Sequence, residues 1–247
     1  MKRFTSPFKI SGDRQVGVKK VSGLSPALKS FLNRVEGMFQ TRAPESIPST
    51  IAAIEPGQVV MLGPDTWEVG APIPIRRSCT IIGSGLGTKI KASDSFTGAA
   101  LFDVNAENVV IKDVTFDGNG VSAAAVKSEL NGLSVVGCKI EGLESGVNVD
   151  GGSGVLVSGC YISCTATGIA ISGTSSSNRI NGNNIQVSNA SGQGIVLGSS
   201  VAHTSVAGNV SNKEIEFHNT GGAQNFAAPG NLGNHVAGNA AVLDEKT

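Results

Sequence analysis

Apolar and polar positions alternate along much of this chain, and the alternation recurs as a phrase. LSVVGCKI stands at 133–140 and VLVSGCYI at 155–162. Three further copies share the pattern: VVIKDVTF at 109–116, NRINGNNI at 178–185 and TSVAGNVS at 204–211. Their starts lie 24, 22, 23 and 26 residues apart. Within the copies the first, third, sixth and eighth positions form columns. The third column reads Ile111, Val135, Val157, Ile180 and Val206, and the sixth reads Val114, Cys138, Cys160, Asn183 and Asn209. A second phrase, GVNV at 146–149, GIAI at 168–171 and GIVL at 194–197, is again apolar at every second residue. Period two predicts strands with one face inward. Gly137, Gly159, Gly182 and Gly208 at the fifth position mark a bend.

A period in the twenties predicts a solenoid. Leucine-rich repeats share that period, but their LxxLxL segments and helices are missing here. Short β-branched strands joined by Gly, Ser and Asn bends predict a parallel β-helix. Residues 51–218 then make about six or seven coils at roughly 23 residues each. Coils stack about 4.8 Å apart, so each column becomes a ladder. Columns three and six point inward, and Asn183 is expected to hydrogen-bond along the stack to Asn209. Cys138 and Cys160 fall in one column as a stacked, buried thiol pair, and a disulfide between them is the rival reading.

Composition agrees with a β-rich protein. Aromatic residues make up 4% and glycine numbers 33, so small residues do the structural work. The net charge is zero, yet residues 1–50 hold nine Lys/Arg against three Asp/Glu, and the rest holds ten against sixteen. A basic arm on an acidic body predicts a separate partner for the arm. The arm is residues 1–24, with Lys2, Arg3, Lys9, Lys19 and Lys20 as its docking charges. Residues 25–40 follow as an amphipathic helix, with Ser25 as N-cap and Pro26 at N1. Leu28, Phe31, Leu32, Val35, Met38 and Phe39 form its apolar stripe, either covering the first coil or joining copies of the chain. Residues 41–50 are expected to be a linker, and 219–247 a C-terminal cap or tail.

The stretch at 51–92 resembles the opening of pectate-lyase-like right-handed β-helices, notably those of bacteriophage tail spikes. Gly57, Val59, Val60 and Leu62 match that opening, with Trp67 in place of its aromatic residue and Asp65 in place of a turn glycine. Ile82, Gly83, Gly85, Thr88 and Ile90 match its later glycine-rich stretch. The resemblance spans about 51–218. It implies an all-β, right-handed parallel β-helix preceded by the arm and helix. Pectate lyases use an aspartate cluster for calcium and an arginine base. Arg179 is the single basic residue between Lys139 and Lys213 and has no carboxylate cluster beside it, so those roles do not transfer.

Candidate chemistry is sparse. Asp117 and Glu141 each follow the phrase directly in successive copies, so stacking brings them within about 5 Å. A glycoside hydrolase needs such a pair, and these two are the catalytic candidates if the chain is an enzyme. Sugar-binding faces normally present aromatic rings, yet Tyr161 is the only aromatic residue from 117 to 216. GSGLG at 83–87 superficially matches a phosphate-binding turn, but no helix follows it. No CxxC or Cys/His spacing points to zinc, and no metal or cofactor is expected. The basic start lacks an apolar core, so neither a signal peptide nor a membrane span is expected, and the chain is made in a cytoplasm.

These features and the resemblance together imply a non-enzymatic bacteriophage virion protein, a short tail spike or fibre or a head-attached spike. Residues 1–40 are expected to hold it to other virion proteins, and the resemblance implies a homotrimer. No nucleic-acid or membrane partner is expected. A polysaccharide-degrading spike that meets a host surface glycan is one alternative. An adaptor carrying a further spike protein is another.

Overall fold

The computed structural model describes residues 47–218, and outside them only the backbone at 39–40, 226–227, 236–238 and 241–242. The arm at 1–24 and residues 25–38 of the helix expected at 25–40 lie outside the described residues, and with them Lys2, Arg3, Lys9, Lys19, Lys20, Leu28, Phe31, Leu32 and Val35.

The chain winds as a parallel β-solenoid with three faces. The first face stacks β1 (Phe39–Gln40), β2 (Gln58–Met61), β5 (Cys79–Ile82), β8 (Val110–Lys112), β11 (Ser134–Val136), β13 (Leu156–Ser158), β16 (Arg179–Asn181), β20 (Ser205–Ala207), β23 (Phe226–Ala227) and β25 (Ala241–Val242). The second face holds β3 (Asp65–Val69), β6 (Thr88–Ala92), β9 (Thr115–Asp117), the first part of β12 (Lys139–Asp150), the first part of β14 (Tyr161–Ser172), β17 (Asn184–Val187) and β21 (Val210–Ser211). The third face holds β4 (Ile73–Ile75), β7 (Ala100–Val104), β10 (Ala124–Ser128), the later parts of β12 and β14, β18 (Gln193–Leu197), β22 (Ile215–Phe217) and β24 (Val236–Gly238). A short ladder of β15 (Ser175–Ser176) with β19 (Val201–Ala202) lies between the third and first faces. Strands β12 and β14 run unbroken through the corner between the second and third faces, with register shifts between Glu141 and Ser145 absorbing the bend.

The ladders have the register read from the repeat. Ile111, Val135, Val157, Ile180 and Val206 pair in succession. Val60 and Ile81 extend the same column downward, and all seven side chains are fully buried. Seven strands of this face lie between Gln58 and Ala207, one per coil. On the third face, Phe102, Val126, Val147, Ile169, Ile195 and Ile215 make another buried column. Phe102 meets Phe116 of the second face edge-on, with ring centroids 5.1 Å apart and planes at 87°, so the interior is filled from wall to wall.

At the corner after the first face five successive coils turn through a left-handed residue. Gly137, Gly159, Gly182 and Gly208 have φ of 61–66°, and Asp113 holds the same position with φ 55°. Beyond the turn, the two asparagines form a buried ladder. Asn183 Nδ2 donates to Asn209 Oδ1 at 2.9 Å and to the Val157 carbonyl at 3.0 Å, while Asn183 Oδ1 accepts from the Cys160 N–H at 2.9 Å. Cys138 and Cys160 occupy the positions below as free, buried thiols. Contact with Cys160, then burial, pushes the Cys138 thiol well up.

Three expectations change. Phe39–Gln40, placed at the end of the helix, form β1 and pair in parallel with Val59 and Val60. An open sheet edge offers unpaired backbone groups, and β1 satisfies them below β2. The linker expected at 41–50 gives way at Ile47 to a short helix, α1 (Ile47–Ala52). Pro48 sits in its first turn, where a missing N–H costs nothing. Ile47, Ile51 and Ile54 are buried, and α1 packs against β4, so it covers the apolar interior at the first coil. The tail at 219–247 includes β23, β24 and β25, which continue the parallel ladders of β20 and β22.

Candidate functional site

The second face carries the two candidate acids. Phe116 and Ile140 point inward, so Asp117 and Glu141 beside them are turned outward by alternation, and the ladder makes the acids register neighbours one coil apart. The structure therefore brings the pair together as the repeat predicts. It also brings two lysines that the sequence reading passed over. Lys89, on the rung below, reaches both acids: its Nζ is 3.2 Å from Asp117 Oδ2 and 3.5 Å from Glu141 Oε1. Lys139 lies two residues before Glu141 on the same surface and contacts its Oε2 at 2.6 Å.

The remaining oxygen, Asp117 Oδ1, accepts the Asn119 N–H at 3.1 Å. All four carboxylate oxygens thus face a donor from the protein itself. The hydrogen bond to Asp117, together with the charges of Asp117 and Glu141, outweighs slight burial and holds the Lys89 ammonium above the usual lysine range. The alternation Asp117–Lys89–Glu141–Lys139 is a closed ion network. Acid–base cleavage of a glycoside asks for one carboxyl that gives a proton and a second that is free to meet the sugar or a water. Here both acids share Lys89, and Glu141 also meets Lys139.

A groove of about 510 Å³ opens beside this network, lined by Leu86, Gly137, Lys139, Glu141, Tyr161 and Ser163. Its lower wall is the GSGLG stretch, which makes a tight 3₁₀ turn at Gly85–Gly87 and leads into β6 rather than into a helix. Thr88 fastens that turn, its Oγ1 accepting the Ser84 N–H at 2.7 Å and donating to the Gly63 carbonyl at 2.8 Å. The turn pushes Leu86 into solvent, at 74% exposure, across from Tyr161 at 42%. Leu86 was legible only as part of a turn without a helix. Lys89 and Lys139 were legible from the same column spacing that paired the acids. Of the expected docking residues only Phe39 is described, as a register neighbour of Val59 in β1.

Comparison with known proteins agrees with this architecture. A family model described as a right handed beta helix region matches residues 77–241. No curated protein matches the sequence significantly. Among solved structures, Geobacillus virus E2 ORF18 superimposes with a TM-score of 0.57 at 14% identity, over 83% of this chain and 54% of that one. The chain thus spans about half of the viral protein's length. The pectin methylesterase of Aspergillus niger superimposes with a TM-score of 0.50 at 13% identity, over 84% of this chain and 83% of the enzyme. At such identities the likeness is one of fold. The matched family segment holds the repeated phrase, the left-handed corner column and most of the buried ladders, and on that ground the chain belongs to the right-handed β-helix family.

Proposed function

We propose that this chain is the rigid body of a bacteriophage virion protein, a short tail spike or fibre or a head-attached spike. Residues 1–40 dock it to other virion proteins, and it acts without cleaving a substrate. The observation that carries the non-enzymatic part is the closed ion network, in which every oxygen of Asp117 and Glu141 is already engaged. The layout of a basic segment ahead of a stiff solenoid supports the docking part, and a viral open-reading-frame product shares the fold. Three copies stand side by side on the particle with their N-terminal ends together. Deletion of residues 1–24 should leave a folded β-helix that no longer enters particles. Normal incorporation of that truncation would refute the docking role.

One observation favours a second reading, contact with a host surface glycan along the second face. Tyr161 and Leu86 flank a groove whose floor offers Lys139, Glu141 and Ser163 as hydrogen-bonding groups. A sugar ring with one apolar side fits such a surface. Incubation with purified capsule or lipopolysaccharide separates binding from cleavage. Release of reducing ends that disappears in Asp117→Asn and Glu141→Gln would make the chain a hydrolase and overturn the structural reading.

A further inference from the structure

The sixth column of the repeat changes character along the stack: Val114, Cys138, Cys160, Asn183, Asn209. The last four side chains point alike, each toward the third-column carbonyl of the coil below. Cys138 Sγ lies 3.8 Å from the Ile111 carbonyl and Cys160 Sγ 3.6 Å from that of Val135. Asn183 Nδ2 lies 3.0 Å from the Val157 carbonyl and Asn209 Nδ2 2.9 Å from that of Ile180. Each thiol also stands 3.5 Å from the carbonyl two residues before it, Val136 for Cys138 and Ser158 for Cys160. The two sulfurs therefore hold equivalent positions one coil apart. The chain is in register on both sides of them, Val136 with Ser158 and Lys139 with Tyr161, so the thiols stack about 4.8 Å apart.

That separation selects the chemistry. A disulfide needs sulfurs about 2.05 Å apart, less than half the spacing that the ladders impose. An ion in line between two sulfurs needs two metal–sulfur bonds of about 2.3 Å, or about 4.6 Å in all. The column supplies two sulfurs and then ends. Val114 lies below them, and above them the Asn183 amide is engaged by Asn209, the Val157 carbonyl and the Cys160 N–H. Zinc takes four ligands in a tetrahedron and would find two. Thiolates favour soft ions, among which Cu(I) accepts two ligands in line. Charge agrees with a monovalent ion. Contact between the thiols draws Cys160 down and pushes Cys138 up, so one proton leaves well before the other. One thiolate, one thiol and one monovalent cation are neutral together, as a dry interior requires. Both cysteines are buried, yet the groove beside the ion network reaches Gly137, Cys138 and Gly159. A Cβ at Gly159 would meet nothing within 4 Å, so the corner beside Cys160 is open.

We propose that Cys138 and Cys160 form a two-coordinate site for a soft monovalent cation, Cu(I), seated between the coils of Val135 and Val157. On binding, the Cys160 thiol gives its proton to solvent and its sulfur bonds the ion. The Cys138 sulfur donates a lone pair to the same ion, and no electron is transferred. The inference does not rest on the virion reading. Titration of the full-length protein with Cu(I), oxygen-free and against a chromogenic Cu(I) chelator, tests it. One ion per chain is expected, and copper X-ray absorption should show two sulfur neighbours at about 2.2–2.3 Å. Cys138→Ser and Cys160→Ser should each weaken binding by about 100-fold or more, because a hydroxyl is a hard ligand. Cys79→Ala with Cys164→Ala should leave binding unchanged, and equimolar Zn(II) should not displace the ion. The absorption spectrum uses the wild-type chain, so it decides the case even where a serine variant fails to fold. No ion taken from the chelator, undiminished binding in either serine variant, or a third ligand in the spectrum overturns the proposal.

Discussion

Asn183 is bonded to Asn209 of the next coil through its side-chain amide at 2.9 Å, and Asn209 in turn donates to the Ile180 carbonyl at 2.9 Å. Both side chains are buried, so these bonds meet no competition from water. Asn183→Ala removes the three bonds of its side chain, to Asn209, the Val157 carbonyl and the Cys160 N–H, and leaves the Cys160 N–H and the Val157 carbonyl short of a partner. A loss of about 2–4 kcal/mol is expected, from net values near 1 kcal/mol per bond plus the cost of unpaired buried groups. The urea midpoint measures it, and a shift smaller than that of an exposed Asn181→Ala control would refute the ladder's role.

Val157 lies within the longest buried column, between Val135 and Ile180. Val157→Asp places a charge with no partner in that interior, at a cost of several kcal/mol. Expression should give insoluble protein only. A soluble variant with native circular dichroism would disprove the inward register.

Gly182 turns the corner with φ 66°, and a Cβ there would come no nearer than 4.0 Å to its closest neighbour. The cost of substitution is therefore one of backbone alone. Gly182→Asn should be nearly neutral, as Asp113 already is at the same corner, whereas Gly182→Val should lose about 1–2 kcal/mol or more. Equal thermal midpoints for the two variants would contradict this.

Lys89→Met removes the cation shared by Asp117 and Glu141. All three side chains are 23–31% exposed, so the loss is expected to stay under about 1 kcal/mol. Because the folded-state Lys89 is held above its ordinary value, the difference from wild type should be present at neutral pH and vanish as pH rises through the lysine range. A difference that persists in strong alkali would mean that the side chain acts through packing.

Burial pushes the Cys79 and Cys164 thiols from 9.0 up to about 11. The unfolded chain releases these protons first, so stability is complete below about pH 9 and falls as pH climbs toward 11. Paired urea titrations at pH 8 and 10.5 should show a smaller alkaline loss in Cys79→Ala with Cys164→Ala than in wild type. Identical losses would refute the thiol contribution.

The interior was readable because a solenoid writes each ladder as a column. Val135 and Val157 announce each other at fixed spacing, and the Gly at position five announces the corner. What the repeat does not contain was harder to see. Ile81 and Ile111 share a column although 30 residues separate them, because that coil is longer at the corner between the first and second faces, where the 3₁₀ turn lies, and at the corner between the second and third. Phe39 has an apolar side chain that serves a helix stripe and a strand equally well. It became a strand because β2 presents an open edge beside it. Ile47, Pro48 and Ile51 fill too short a stretch for helical periodicity to register, and the need to close the first coil decides their structure. At the site, the acids were visible as charges in one column, but their engagement with Lys89 depends on the neighbouring rung.

The unbroken course of β12 and β14 around a corner has a mechanical meaning. The inter-coil hydrogen bonds run along the long axis, while the covalent backbone runs around the girth. Traction on the two ends loads the coils in series, so the body parts at its weakest junction and peels rung by rung. Compression closes the same bonds, and bending is resisted by the close-packed columns inside. Such a rod is strong when pushed and weak when pulled, and the two long strands make the junction between the coils of Val147 and Ile169 the last to part.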